Sequence, residues 1–151
     1  MYHLRFPIKV KQNDDIYVVG DLCLGKDYDG IWRLLASLPG TLHLIIGNHD
    51  TDKKVEFYRQ HGIDAQYVDV IDYKNRRFYL SHHPTHVADL ESNPKTCMIN
   101  CHGHLHTKNK FYEDRPYMYN VSVDANNNKF ITLDDVLREF HQKVCECKQY
   151  L

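Results

Sequence analysis

Leu42-His43-Leu44-Ile45-Ile46-Gly47-Asn48-His49-Asp50 is the stretch on which the reading of this chain turns. Residues 42–46 are a short apolar run that stops at a glycine, the pattern of a buried strand. An amide, an imidazole and a carboxylate follow at once. The same construction stands upstream, where Ile16-Tyr17-Val18-Val19-Gly20 runs into Asp21. It recurs twice downstream. A strand expected over 76–81 is followed by His82 and His83, and one expected over 96–101 is followed by His102, His104 and His106. Strand ends in α/β sheets converge on one crevice, where ligands bind. Four strand ends offering Asp, Asn or His therefore point to a single polar site.

The stretches between these strands supply the other layer. Residues 29–38 place Ile31, Leu34, Leu35 and Leu38 on one helical face, and Pro39-Gly40 ends that helix. A second helix is expected over 52–61, stopped by Gly62. Residues 65–72 alternate as a strand and pair with 76–81 through a turn at Lys74-Asn75. Residues 117–123 give a further strand. Thr132 is a good helix cap, with Asp135 three residues on, and Leu133, Val136, Leu137, Phe140 and Val144 follow at helical spacing. Asp134 and Asp135 then belong to a first helical turn, where the dipole favours them. The expected fold class is α/β, a layered sheet or β-sandwich core flanked by helices.

Bulk properties narrow the function. With 151 residues, no repeat and no linker, one domain over 1–151 is expected. Net charge is -1, so no extended nucleic-acid surface is expected, and any nucleotide ligand would have to be held locally. No signal peptide or long apolar run is visible, so neither export nor a membrane is expected. The five cysteines are odd in number and lack C-x2-C spacing, which reads as thiols of a reducing, cytoplasmic compartment. Eleven histidines are the outlier and direct attention to metals or acid–base chemistry.

Spacing within the motifs has a physical sense. In extended chain, residues two apart point the same way, so His104 and His106 can face one cluster while Leu105 packs behind. Gly103 and Gly47 let backbone approach closely. Asn48 offers an uncharged carbonyl oxygen. His49 beside Asp50 reads as an acid with its orienting carboxylate. Mixed oxygen and imidazole donors suit Mn, Fe or Zn. His102 and His83 adjoin the motifs without a required role. His3, His43, His61, His86 and His141 read as surface or packing residues. Lys53-Lys54, Arg76-Arg77 and Lys108 with Lys110 read as solvated faces.

In order, Gly20-Asp21, Gly47-Asn48-His49-Asp50, Ser81-His82-His83-Pro84 and Gly103-His104-Leu105-His106 resemble the motifs of the calcineurin-like metallophosphoesterases. Asn120-Val121-Ser122-Val123-Asp124, running into Ile131-Thr132-Leu133-Asp134-Asp135, resembles the small bacterial and phage members, and the likeness covers about residues 8–141. The resemblance implies a phosphoesterase, and within that class a phosphodiesterase of a small, nucleotide-like ester, in which a metal-bound hydroxide attacks phosphorus. It implies Asp21 as a bridge between two metals, Asn48, His82 and His104 as further ligands of the second, and His106 as a ligand of the first. His49 would protonate the leaving oxygen and Asp50 would orient it. The metals implied are divalent, with Mn, Fe, Zn and Ni all suitable.

One motif of that family is missing. Its opening D-x-H has no counterpart before Asp21, so an N-terminally truncated version of the fold is expected. The second metal would keep four protein ligands and the first only Asp21 and His106. One firmly bound ion and a second that is weak or absent follow. His3 or a residue of a neighbouring subunit could fill the gap. A lost strand would leave a raw sheet edge that a homodimer could cover. Two rival readings remain: a degenerate module that binds metal or phosphate with little turnover, and a fragment of an active gene product.

Overall fold

The computed structural model describes residues 10–87 and 97–148. Seven strands and three longer helices alternate along them. They run β1 (Asp15–Val19), α1 (Tyr28–Ala36), β2 (Thr41–Ile45), α2 (Asp52–Gln60), β3 (Asp64–Gln66), β4 (Val68–Tyr73), β5 (Arg76–Ser81), β6 (Ile99–His102), β7 (Met118–Asn120) and α3 (Leu133–Lys148). The strands form two sheets, one ordered β1-β2-β3 and the other β4-β5-β6-β7. The first sheet is parallel throughout, and in the second only the β4–β5 pair is antiparallel. This is the expected α/β layered architecture, two sheets flanked by helices.

The apolar run of β2 is explained by burial on both faces, as in parallel sheets covered on each side. Side chains alternate across a strand. Leu44 and Ile46 therefore join Val55, Tyr58, Ile63 and Ala65 beneath α2. Ile45 points the other way, into a core with Phe78, Leu80, Ile99, Met118 and Phe140. α3 closes that core through Val136 and Phe140. Its start is a reciprocal cap: the Thr132 backbone N–H donates to Asp135 Oδ2 at 3.0 Å, and the Asp135 N–H to Thr132 Oγ1 at 3.2 Å.

Three strands differ most from the sequence reading. The strand expected over 65–72 is two strands in different sheets, β3 and β4, parted at the exposed Tyr67. The strand expected over 117–123 keeps only Met118–Asn120, because the chain then turns, with the Ser122 N–H donating to the Asn120 side chain at 3.0 Å. The strand expected over 96–101 is Ile99–His102, and Thr96 lies outside the described residues.

Among the described residues, β1 pairs only with β2. Its other edge borders a cleft of about 870 Å³ that runs between the sheets past Tyr17, Tyr73, Val121 and Leu133 and reaches Asp21 and His104. No helix of the described residues is long and apolar enough to cross a membrane.

Candidate metal centre

β1, β2, β5 and β6 run parallel within their sheets, and their C-terminal ends carry Asp21, Asn48, His82 and His104. One hydrogen bond joins the two sheets at this point: His82 Nδ1–H donates to the carbonyl of Val19, 3.1 Å away at the end of β1. A carbonyl can only accept, so Nδ1 carries a proton, and in the neutral ring Nε2 is then the acceptor. That nitrogen lies 2.8 Å from Asn48 Oδ1 and 3.4 Å from Asp21 Oδ2. His104 Nδ1 lies 3.1 Å from the same Asn48 oxygen. Three types of acceptor thus converge on one point, from a nearly buried His82 and a largely buried Asp21. Facing lone pairs repel unless a cation sits among them. The donor set, one carboxylate, one amide oxygen and two imidazoles, fits a divalent transition metal.

Close packing of backbone makes this approach possible. Gly20 has φ +87, and a Cβ there would overlap the His82 ring. A Cβ on Gly47 would overlap the Asp21 carboxylate. Two of the donors themselves sit in the left-handed region, Asp21 at φ 54 and His104 at φ 61. Non-glycine residues pay a backbone cost there, and such residues cluster at functional sites.

What holds the loops in this shape differs from the sequence reading. Asp50 was expected to orient the His49 ring. Its carboxylate instead accepts from three backbone N–H groups, those of Asp21 (2.8 Å), Leu22 (3.2 Å) and Gly47 (2.9 Å). It clamps the loop after β1 to the loop after β2. The reason is burial: a carboxylate taken out of water needs donors, and the backbone supplies them. Burial pushes the Asp50 carboxyl up from its ordinary value, against the pull of those donors. Lys54 completes the clamp from the first turn of α2. It reads in sequence as part of a solvated face, yet it is only 9% exposed. Its ammonium donates to the carbonyls of Cys23 (2.5 Å) and His49 (3.1 Å).

His49 is exposed, and its backbone N–H donates to Asp21 Oδ1 at 2.8 Å. His106 is also exposed, with Nδ1 2.8 Å from Asp124 Oδ2. Asp124 had no role in the sequence reading beyond its place in the 120–124 stretch. A carboxylate on Nδ1 fixes the ring and leaves Nε2 basic, the usual arrangement behind a metal-binding imidazole.

The flanking histidines divide. His102 is fully buried, its Nδ1 3.0 Å from the Gly103 carbonyl. Burial holds it below the ordinary imidazole value, so it is a neutral packing residue under the site. His83 is exposed and lies against the site, with ring centroids 4.9 Å from His82 and 4.2 Å from His104. His104 is held below its ordinary value by burial first and then by His83 and His82. His43 packs on Tyr17 at 4.5 Å and contacts Asp15 at 3.0 Å, away from the donors. His3 lies outside the described residues.

Over 134 residues the chain is 33% identical to the uncharacterized protein MJ1445 of Methanocaldococcus jannaschii, spanning 85% of this chain and 67% of that protein. Its fold is similar to that of a crystallised protein of unknown function, AQ665 of Aquifex aeolicus, with a TM-score of 0.65 and 26% identity over 85% of this chain and 77% of that one. Residues 3–144 match the calcineurin-like phosphoesterase family, and all the converging donors fall inside the match. With polar donors gathered at parallel strand ends and a family match over nearly the whole chain, the protein belongs to the calcineurin-like phosphoesterases.

Proposed function

We propose that this protein is a metal-dependent phosphodiesterase of a small, nucleotide-like phosphate ester. The observation that carries the reading is the convergence of the Asp21 and Asn48 side-chain oxygens with the His82 and His104 ring nitrogens, with a His82 proton held on the far side of the ring by Val19. These four residues would hold one divalent ion firmly. His106, with Asp124 behind it, and Asp21 would hold a second ion more weakly. The bound ions supply Lewis acidity toward a phosphoryl oxygen.

The chain's own residues supply the rest. Asp21 carries the negative charge of the four-residue set. Asn48 adds a ligand oxygen without adding charge, which keeps the site electrophilic. His49, on an exposed loop anchored to Asp21, delivers a proton to the leaving oxygen. Asp50 and Lys54 keep that loop in register by holding its backbone. The adjoining cleft of about 870 Å³ is within the usual size of small-ligand sites, which supports a nucleotide-sized ester.

Hydrolysis of bis-p-nitrophenyl phosphate with Mn²⁺ tests the proposal. His49→Ala is expected to lower kcat by about a hundredfold or more, the usual worth of a positioned general acid. Asp21→Ala should abolish turnover. A rate that neither substitution lowers would show that the activity is not this protein's. Firm metal binding with no turnover would instead establish a binding module.

A further inference from the structure

We propose that His83 is a third imidazole donor to the cation of this site, beside His82 and His104. The inference rests on the metal reading above and deepens it. Donor nitrogens of His82, His83 and His104 lie within 4.8 Å of one another. Two nitrogens on one ion, each at about 2.0–2.1 Å, stand at most about 4.2 Å apart. Rotation of the exposed His83 and His104 rings covers that difference, while His82 stays fixed on Val19.

The turn that presents His83 is built rather than loose. Its carbonyl accepts from Ser81 Oγ at 2.8 Å and from Thr85 Oγ1 at 3.0 Å. Asn100, 0% exposed, ties both ends together: its Nδ2 donates to Ser81 Oγ at 2.8 Å, and its Oδ1 accepts from the Thr85 N–H at 2.9 Å. A fully satisfied buried network rigidifies what it holds. What it holds here is the backbone of a histidine whose ring lies against two metal donors. None of these bonds involves the His83 side chain, so the ring is replaceable without dismantling the turn.

A third neutral nitrogen shifts the preference of the site. Imidazole suits Zn, Co and Ni, whereas Mg prefers oxygen and water. His83 should therefore matter for the former and not for Mg²⁺.

The test titrates the chelated protein with Co²⁺ and with Mg²⁺, reading affinity by calorimetry and the Co²⁺ visible spectrum. His83→Ala and His83→Phe are compared with the wild type, with metal-free melting curves checking that each is folded. His83→Phe keeps a ring without a donor and serves if the alanine variant is unstable. Both variants are expected to bind Co²⁺ about tenfold or more weaker, on the scale of losing a supporting group at a metal site, with an altered spectrum and unchanged Mg²⁺ affinity. Unchanged Co²⁺ affinity and spectrum would overturn the proposal and leave the four-donor reading intact. If KM for the ester then rises, His83 belongs to the substrate instead. Absence of Co²⁺ binding by the wild type would overturn the metal reading and this proposal together.

Discussion

Asp50 and Lys54 do at the residue scale what the motif's own donors cannot do for themselves. Each is a buried charge with all its partners on the backbone of two loops. Lys54→Met would strand two carbonyls while filling the same volume. An unsatisfied buried polar group costs about 1–3 kcal/mol, so a drop of about 2 kcal/mol in denaturant stability is expected. Metal affinity should fall with it, since the loops that carry Asp21 and Asn48 lose a tie. Unchanged stability in urea would mean that the Lys54 bonds do not form in solution. Asp21, Asn48, His82 and His104 were legible as a set, because each directly follows a recognisable strand. Lys54 was not, because lysine is mostly exposed and nothing in Lys53-Lys54 marks one of the two as buried. Asp50 was legible as important, but its partner was misassigned. Adjacency in sequence suggested the His49 ring, whereas the turn at Gly47 points the carboxylate at backbone N–H groups. Asp124 was missed because its partner His106 is distant in sequence.

Elements show the same mixture. The reciprocal cap at Thr132 and Asp135 was readable from spacing alone, because it is a local device. Asp135→Asn keeps an acceptor but removes the charge, and is expected to cost about 0.3–1 kcal/mol at neutral pH, the usual worth of a carboxylate in a first helical turn. The backbone N–H of Thr132, followed by the Arg138 side chain, holds the Asp135 carboxyl below its ordinary value. A carboxyl depressed in the folded state contributes stability above its unfolded pKa and loses it as pH falls through the folded pKa. The wild type should therefore lose stability more steeply than the variant as pH falls below about 4. Urea midpoints from neutral pH down to about pH 3 would show it, and parallel curves would contradict it. The split between β3 and β4 was not readable. No glycine or proline marks Tyr67, and a strand that changes sheet keeps its alternation on both sides of the break. The loss of the last residues of the 117–123 strand likewise came from a side chain, Asn120, drawing the backbone into a turn.

For the whole molecule, the two sheets meet where their parallel C-terminal ends meet, so assembling the fold also assembles the site. The layered architecture was legible because hydrophobic periodicity reports which elements exist. How β1 lies against its neighbours was not, because pairing partners are not written in a strand's own pattern. β1 leaves one edge along the cleft without a partner among the described residues. Hydrogen exchange should reveal this: alternate β1 amides should exchange much faster than those of β2, which is paired on both sides. Uniform slow exchange across β1 would mean that another strand covers its edge in solution.

The claim that binds these scales together is that Asp21, Asn48, His82 and His104 form one firm divalent-metal site. Equilibrium titration of Mn²⁺ into the chelated wild type and His82→Ala tests it most directly. One tight ion per chain is expected, with a weaker second, and His82→Ala should lose the tight one. Two equally tight ions per chain, or a tight ion that survives His82→Ala, would contradict the account.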